Sequence, residues 1–324
     1  MKMIDLHQNF VDYLYSSYSS KKELTDIIED ILRIDRESVL RRLNNKVLFT
    51  VKEIGQIANK LHLSLDYILN KNTDSIFLPL NMVMPHTIES VVDYFDLFSN
   101  DIRLLKIINH QSPLHIGYIF DTLPINFYAH YEYLYKYICF KNMSFYIKNK
   151  FFEKYSLWQI PEEFDNYRKL VTTCLDNSES IFYIWNNPVI ENLMKDIIFS
   201  YKLKLIDNED VQLIKKDIHR LLDNIVDRAQ AIKKDTNVMV KPIDLYVLNI
   251  NINFSCTYIH SPADTLIQFR TPFPYSKLCR NTKEFYTIYN WMNSMKKLST
   301  LISDSGIVER NLFFDEQHEI VDRI

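Results

Sequence analysis

Only three glycines occur in 324 residues: Gly55, Gly117 and Gly306. Glycine lets a backbone turn left-handed or close on a ligand without steric cost. Its scarcity disfavours phosphate-cradling loops, and neither a Walker motif nor a dinucleotide fingerprint is present. The four cysteines, Cys139, Cys174, Cys256 and Cys279, are scattered with no CxxC pair. They read as buried thiols of a reducing, cytoplasmic setting rather than a disulfide or zinc framework. No apolar run approaches the roughly 20 residues that span a membrane. The opening MKMIDLHQNF reads as too polar for a signal peptide. The net charge of -3 excludes a uniformly basic nucleic-acid coat but leaves room for a local basic face.

What is abundant is core material. Hydrophobic residues make up 47% and aromatic residues 14%, with 21 tyrosines and 20 phenylalanines. This argues against global disorder. The length suggests two domains of roughly 150 residues as a prior.

Residues 4–18 carry Leu6, Phe10, Tyr13 and Leu14 at helical spacing, and 21–32 carry Leu24, Ile27, Ile28 and Ile31. Arg33, Ile34 and Asp35 make a turn, and Asp35 is positioned to cap a third helix. At 100° per residue, Val39, Leu40 and Leu43 share the inner face of that helix. Ser38, Arg41 and Asn45 lie opposite, flanked by Glu37 and Arg42. Arginine can donate two parallel hydrogen bonds to guanine O6 and N7, and serine and asparagine can serve bases or phosphates. Asn45 sits where the chain turns out of the helix and tolerates a left-handed backbone. Thr50 is set to cap a fourth helix (Ile54, Ile57, Ala58, Leu61) and Ser64 a fifth (Leu65, Ile68, Leu69). Lys46 and Lys52 lie where a phosphate backbone would pass.

Residues 5–70 resemble the lambda-repressor-like (Cro/repressor, XRE-type) helix-turn-helix domain. The likeness rests on Arg36, Glu37, Ser38, Leu40, Arg41, Arg42, Leu43 and Asn45, then Ser64, Leu65 and Asp66. Leu40 stands where the most similar subgroup has tyrosine, and Asn45 where it has glycine. The resemblance implies a DNA reader with residues 36–45 as recognition helix. The expected DNA-binding residues are Arg36, Glu37, Ser38, Arg41, Arg42, Asn45, Lys46 and Lys52.

Residues 73–85, with Pro79 and Pro85, read as a linker between a domain over 1–72 and a larger one over 86–324. The larger part reads as mostly helical. Its stripes are Ile88, Val91, Val92, Phe95, Phe98; Leu104, Ile107, Ile108; 127–150; 182–205; and 211–231, the last capped by Asp207. Residues 243–269 alternate apolar and polar, predicting a small antiparallel sheet of two or three strands, with another helix over 281–301. The expected fold is therefore mainly α. This part also resembles the regulatory domain behind the same helix-turn-helix, through Ile184-Trp185-Asn186, 297–303 with Gly306, Glu309-Arg310-Asn311 and Phe313-Phe314. That likeness implies a regulator architecture and names no ligand.

Catalytic patterns are absent. His110 and His115 lack a third ligand at metal spacing, and Ser303, Ser305 and Gly306 do not form a nucleophile elbow. The tyrosines and histidine of 128–137 (Tyr128, His130, Tyr131, Tyr133, Tyr135, Tyr137) read as core and interface rather than a ligand pocket, Trp185 and Trp291 as core anchors, and Cys256 as buried. Lys296, Lys297, Glu309 and Arg310 read as a solvated face or an ion-pair network. The expectation is a bacterial, cytoplasmic, non-enzymatic regulator without cofactor or metal. It would bind double-stranded DNA as a homodimer, with an effector unspecified and no membrane. The alternative is a protein–protein interaction scaffold whose helix-turn-helix fold does not read DNA.

Overall fold

The computed structural model describes residues 6–18, 20–61, 63, 65, 68, 87–98, 102, 105–106, 113–148, 154–176, 178–231, 242–252, 254–262, 265–270, 276–279, 282–304 and 306–323. Most of the expected fifth helix, the linker 73–85, the stripe Leu104, Ile107, Ile108, and also His110 and Ser305 lie outside the described residues. The chain divides into two compact units, 1–80 and 81–324.

Among the described residues of the first unit, helices form where periodicity and caps place them: α1 (Leu6–Ser17), α2 (Lys21–Leu32), α3 (Arg36–Leu43) and α4 (Val51–Lys60). Ser20, Asp35 and Thr50 each accept a backbone N–H at a helix start, and Thr50 with Glu53 completes a capping box. Phe10, Leu14, Leu24, Ile28, Val39, Leu43, Ile54 and Ile57 close one core. Leu40 is only half-buried.

The second unit departs from expectation. It is an α/β fold, and the mainly α reading with a small antiparallel element is overturned. Its strands are β1 (His115–Phe120), β2 (Ser180–Trp185), β3 (Asp244–Leu248), β4 (Ser255–His260), β5 (Thr265–Arg270), β6 (Ser276–Cys279) and β7 (Ser299–Leu301). They form one mixed seven-stranded sheet in the order β6-β5-β4-β1-β2-β3-β7. β1 pairs parallel with β2, and β2 parallel with β3. β4, β5, β6 and β7 join antiparallel. The physical reason is burial on both faces. A parallel strand covered on both sides reads as an apolar run, not as an alternation. HIGYIF and SIFYIW are such runs, and Ile181 through Trp185 are all buried.

Among the described residues this unit carries the helices α5 (Val91–Asp96), α6 (Ile125–Tyr128), α7 (Glu132–Tyr146), α8 (Glu162–Asp176), α9 (Val189–Lys202), α10 (Asn208–Gln230), α11 (Thr282–Lys297) and α12 (Ile307–Asp322). Asp207 caps α10, with Asp210 closing the capping box. On one face of the sheet, Trp185 meets Phe120, Phe127, Phe313 and Phe314, anchoring α12. On the other, Tyr258 meets Phe285 and Tyr289 of α11. Gly117 is required there, because a Cβ on it would stand 2.4 Å from the rings of Phe182 and Tyr258.

Tyr131, Tyr135 and Tyr137 are buried, and burial pushes all three phenols above their usual range. Cys139 and Cys256 are buried, free thiols, and burial pushes Cys139 up to about 12. Arg310 corrects another expectation. It is not a solvated charge but is 3% exposed, and its Nη1 donates to the Ile302 carbonyl at 2.9 Å. Lys296 rests over the Phe182 ring at 3.4 Å. Among the described residues no helix is long and apolar enough to cross a membrane.

Candidate nucleic-acid interface

The α2–turn–α3 geometry follows from two backbone reversals. Arg33 takes a left-handed backbone (φ 54°) as its N–H bonds the Glu29 carbonyl, ending α2. Asp35 then starts α3, its Oδ1 accepting the Ser38 N–H at 2.9 Å and its Oδ2 the Ser38 hydroxyl at 2.7 Å. These two bonds hold the Asp35 carboxyl below its usual range. α3 ends in a Schellman arrangement. Asn45 is left-handed (φ 59°), the Lys46 N–H bonds the Arg41 carbonyl at 2.9 Å, and the Asn45 N–H bonds that of Arg42 at 3.1 Å.

The expected site residues fall into two groups. Arg41 is 61% exposed, and among the described residues its one ion pair is a 3.8 Å approach to Glu37, itself 81% exposed. Such a surface pair is weak enough to yield to a stronger partner. Lys46 and Lys52 are exposed, and among the described residues no ion pair engages them. Asn45 is exposed, with its Nδ2 donating to Gln8 Oε1 at 2.7 Å. Ser38 is half-buried, its hydroxyl spent on Asp35.

Arg36 and Arg42 are occupied. Arg36 pairs with Asp26 and stands 4.0 Å from Glu29, tying α3 to α2. Arg42 is only 18% exposed. Its Nη2 meets Glu53 Oε1 at 2.9 Å, its Nε meets Glu53 Oε2 at 3.3 Å, and its Nη1 reaches the Ser38 carbonyl at 3.2 Å. Partial burial works to raise the Glu53 carboxyl. The Thr50 N–H, the Arg42 guanidinium and the Thr50 hydroxyl outweigh it and hold the group below its ordinary range.

Four residues that the sequence did not single out brace the turn after α3. The His7 ring Nδ1 accepts the Phe49 N–H at 3.0 Å. The Tyr15 hydroxyl donates to the Leu43 carbonyl at 3.3 Å, and Lys21 Nζ to Asn44 Oδ1 at 2.9 Å. Gln8 receives Asn45. Their spacing from the turn, 23 to 42 residues, leaves no local pattern to read.

Residues 7–93 match the BetR domain. The BetR domain is a helix-turn-helix-like N-terminal domain, and the match supports a DNA-binding regulator in general terms. The matched stretch takes in nearly all of α1, all of α2, α3 and α4, and the first turn of α5. No curated protein and no solved structure matches the chain.

Proposed function

We propose that this chain is a sequence-specific, double-stranded-DNA-binding transcriptional regulator whose N-terminal unit is of the lambda-repressor-like type, with α3 as the helix that enters the major groove. The observation that carries this reading is the division of labour on α3. Arg42 is folded back onto Glu53 and fixes the helix, while Arg41, one residue earlier, stands out in solvent beside Asn45 and Lys46. Eight residues of helix, about 12 Å, suffice to present one or two side chains to base edges.

In this reading Arg41 donates to a guanine. Ser38 and Asn45 serve neighbouring bases or the sugar-phosphate, and Glu37 screens or accepts from a cytosine amine. Lys46 and Lys52 hold phosphates and make affinity fall with salt. Arg36 and Arg42 position the helix through Asp26 and Glu53. Leu48 in the turn after α3 and Val51 at the start of α4, 66% and 82% exposed, offer apolar contact for a thymine methyl or a sugar. The α/β unit serves dimerisation, since two short readers on paired half-sites bind more tightly than one. It is also the place for an effector.

Selection of bound duplexes from a random DNA pool tests the reading. Enrichment of a defined motif supports it. Recovery of unenriched DNA with weak, salt-insensitive binding supports the scaffold instead.

A further inference from the structure

Two histidines of the α/β unit meet head-on. His219 lies on α10 and His318 on α12, and their Nδ1 atoms are 2.7 Å apart. The ring centroids are 5.0 Å apart with 4° between the planes. That separation is about the largest a 2.7 Å gap permits, so the rings lie edge to edge with both Nδ1 atoms on the line between them. The far nitrogens are engaged as well. His219 Nε2 is 3.1 Å from Asp322 Oδ1, and His318 Nε2 is 3.4 Å from Asp223 Oδ1. Each helix thus supplies a histidine and, four residues on, an aspartate that serves the other helix's histidine. The sequence spells this twice, as HRLLD over 219–223 and HEIVD over 318–322.

Proton counting gives the arrangement its meaning. A carboxylate only accepts, so His219 Nε2 must carry a hydrogen to bond Asp322, and a bare His318 Nε2 would turn its lone pair on the Asp223 carboxylate 3.4 Å away. The Nδ1–Nδ1 contact then needs one hydrogen, donated by one ring and accepted by the other. The pair therefore holds three ring protons, and its single positive charge sits between two carboxylates. With two protons in the gap, N–H faces N–H at 2.7 Å. With none, two lone pairs face each other. A shared zinc ion fits poorly, because two Zn–N bonds of about 2.0–2.1 Å meeting at a tetrahedral angle would hold the nitrogens farther apart. No group of three or more His, Cys, Asp or Glu among the described residues is arranged for a metal.

We propose that His219 and His318 form a proton-sharing clasp that locks α12 onto α10 in a middle pH range and loosens it on both the acid and the alkaline side. The surrounding charges are compatible with one net positive charge on the pair. On α10, Lys215 and Lys216 stand within a turn of His219, and Arg220 is held 3.4 Å from Asp217. Asp217 turns to the Tyr133 and Leu134 N–H groups that open α7. On α7, Glu132 and Asp210 of α10 both act on Lys136. On α12, Asp315 stands within a turn of His318, and Glu319 is held by Arg323 at 3.8 Å. Arg323 also acts on Glu191 of α9.

The test is hydrogen exchange of the full chain, followed by mass spectrometry over the α12 peptides and corrected for intrinsic rates. Protection of 307–322 should pass through a maximum and fall on both the acid and the alkaline side, by at most about tenfold per pH unit for each proton linked. His219→Gln/His318→Gln should lose the two-sided profile. Nitrogen NMR of the unaltered protein supplies a check that needs no variant: the two Nδ1 atoms should show a nitrogen–nitrogen coupling across their one shared hydrogen. A one-sided loss on acidification alone, the same profile in the double variant, or protection abolished by a chelator would each overturn the proposal.

Discussion

Arg42 and Glu53 face each other through two nitrogen–oxygen contacts, 2.9 and 3.3 Å long, in a partly buried setting that joins α3 to the start of α4. The same Glu53 closes the capping box on Thr50. One carboxylate therefore fixes both the orientation of α3 and the N-terminus of the helix after it. Arg42→Ala should destabilise the N-terminal unit by roughly 1–3 kcal/mol, the range for losing hydrogen bonds to a charged group. Chemical denaturation followed by circular dichroism measures it. Arg42→Lys should recover only part of the loss, because an ammonium cannot reproduce the two-pronged geometry.

The same pair sets an acid limit. The Glu53 carboxyl is held below its ordinary value of 4.5 in the folded state. A depressed carboxyl contributes stability that is present above the unfolded value and lost as pH falls through the folded one. The N-terminal unit should therefore hold its stability down to about pH 4.5 and lose it progressively below. Glu53→Gln should be less stable at neutral pH and show a flatter loss on acidification. Denaturation midpoints at a series of pH values decide it, and parallel curves for the two proteins would contradict the assignment.

In the α/β unit Gly117 on β1 leaves less room for a Cβ than Gly306 does. A Cβ there meets the Phe182 and Tyr258 rings at 2.4 Å, and those rings are themselves packed under α11. Gly117→Ala should cost roughly 1–3 kcal/mol as overpacking, read as a lowered thermal midpoint of this unit. Leaving the first unit's transition unchanged would localise the effect.

How far the sequence could be read depended on the kind of burial. In the first unit each helix has one buried face, so periodicity and caps carried the bounds: Lys21–Leu32 formed as spaced, and Asp35 and Thr50 cap as their side chains suggest. In the second unit β1 and β2 are covered on both faces, so the two-residue alternation that marks a strand is missing. SIFYIW merged with the helix that begins at Val189 into one apparent apolar helix. Residues 243–269 did show alternation. What the pattern did not carry was the partner: β3 pairs with β2 and β7 rather than with β4. At the interface, side-chain type pointed to Arg36, Arg41 and Arg42 alike. Only tertiary contacts separate the exposed Arg41 from the two arginines held by Asp26 and Glu53. Arg310 misled for a related reason: a buried guanidinium whose Nη1 donates to main-chain carbonyls leaves no mark in sequence.

The proposed DNA binding requires Arg41 to meet a base while Lys52 meets a phosphate. Affinity for a selected duplex and for an unrelated one, titrated over salt concentration, measures both at once. Arg41→Ala should lose roughly 1–3 kcal/mol on the selected duplex with little change on the unrelated one, and Lys52→Ala should weaken both and reduce the salt slope by about one. Unchanged affinity and unchanged slope in both variants would contradict the placement of α3 in the major groove.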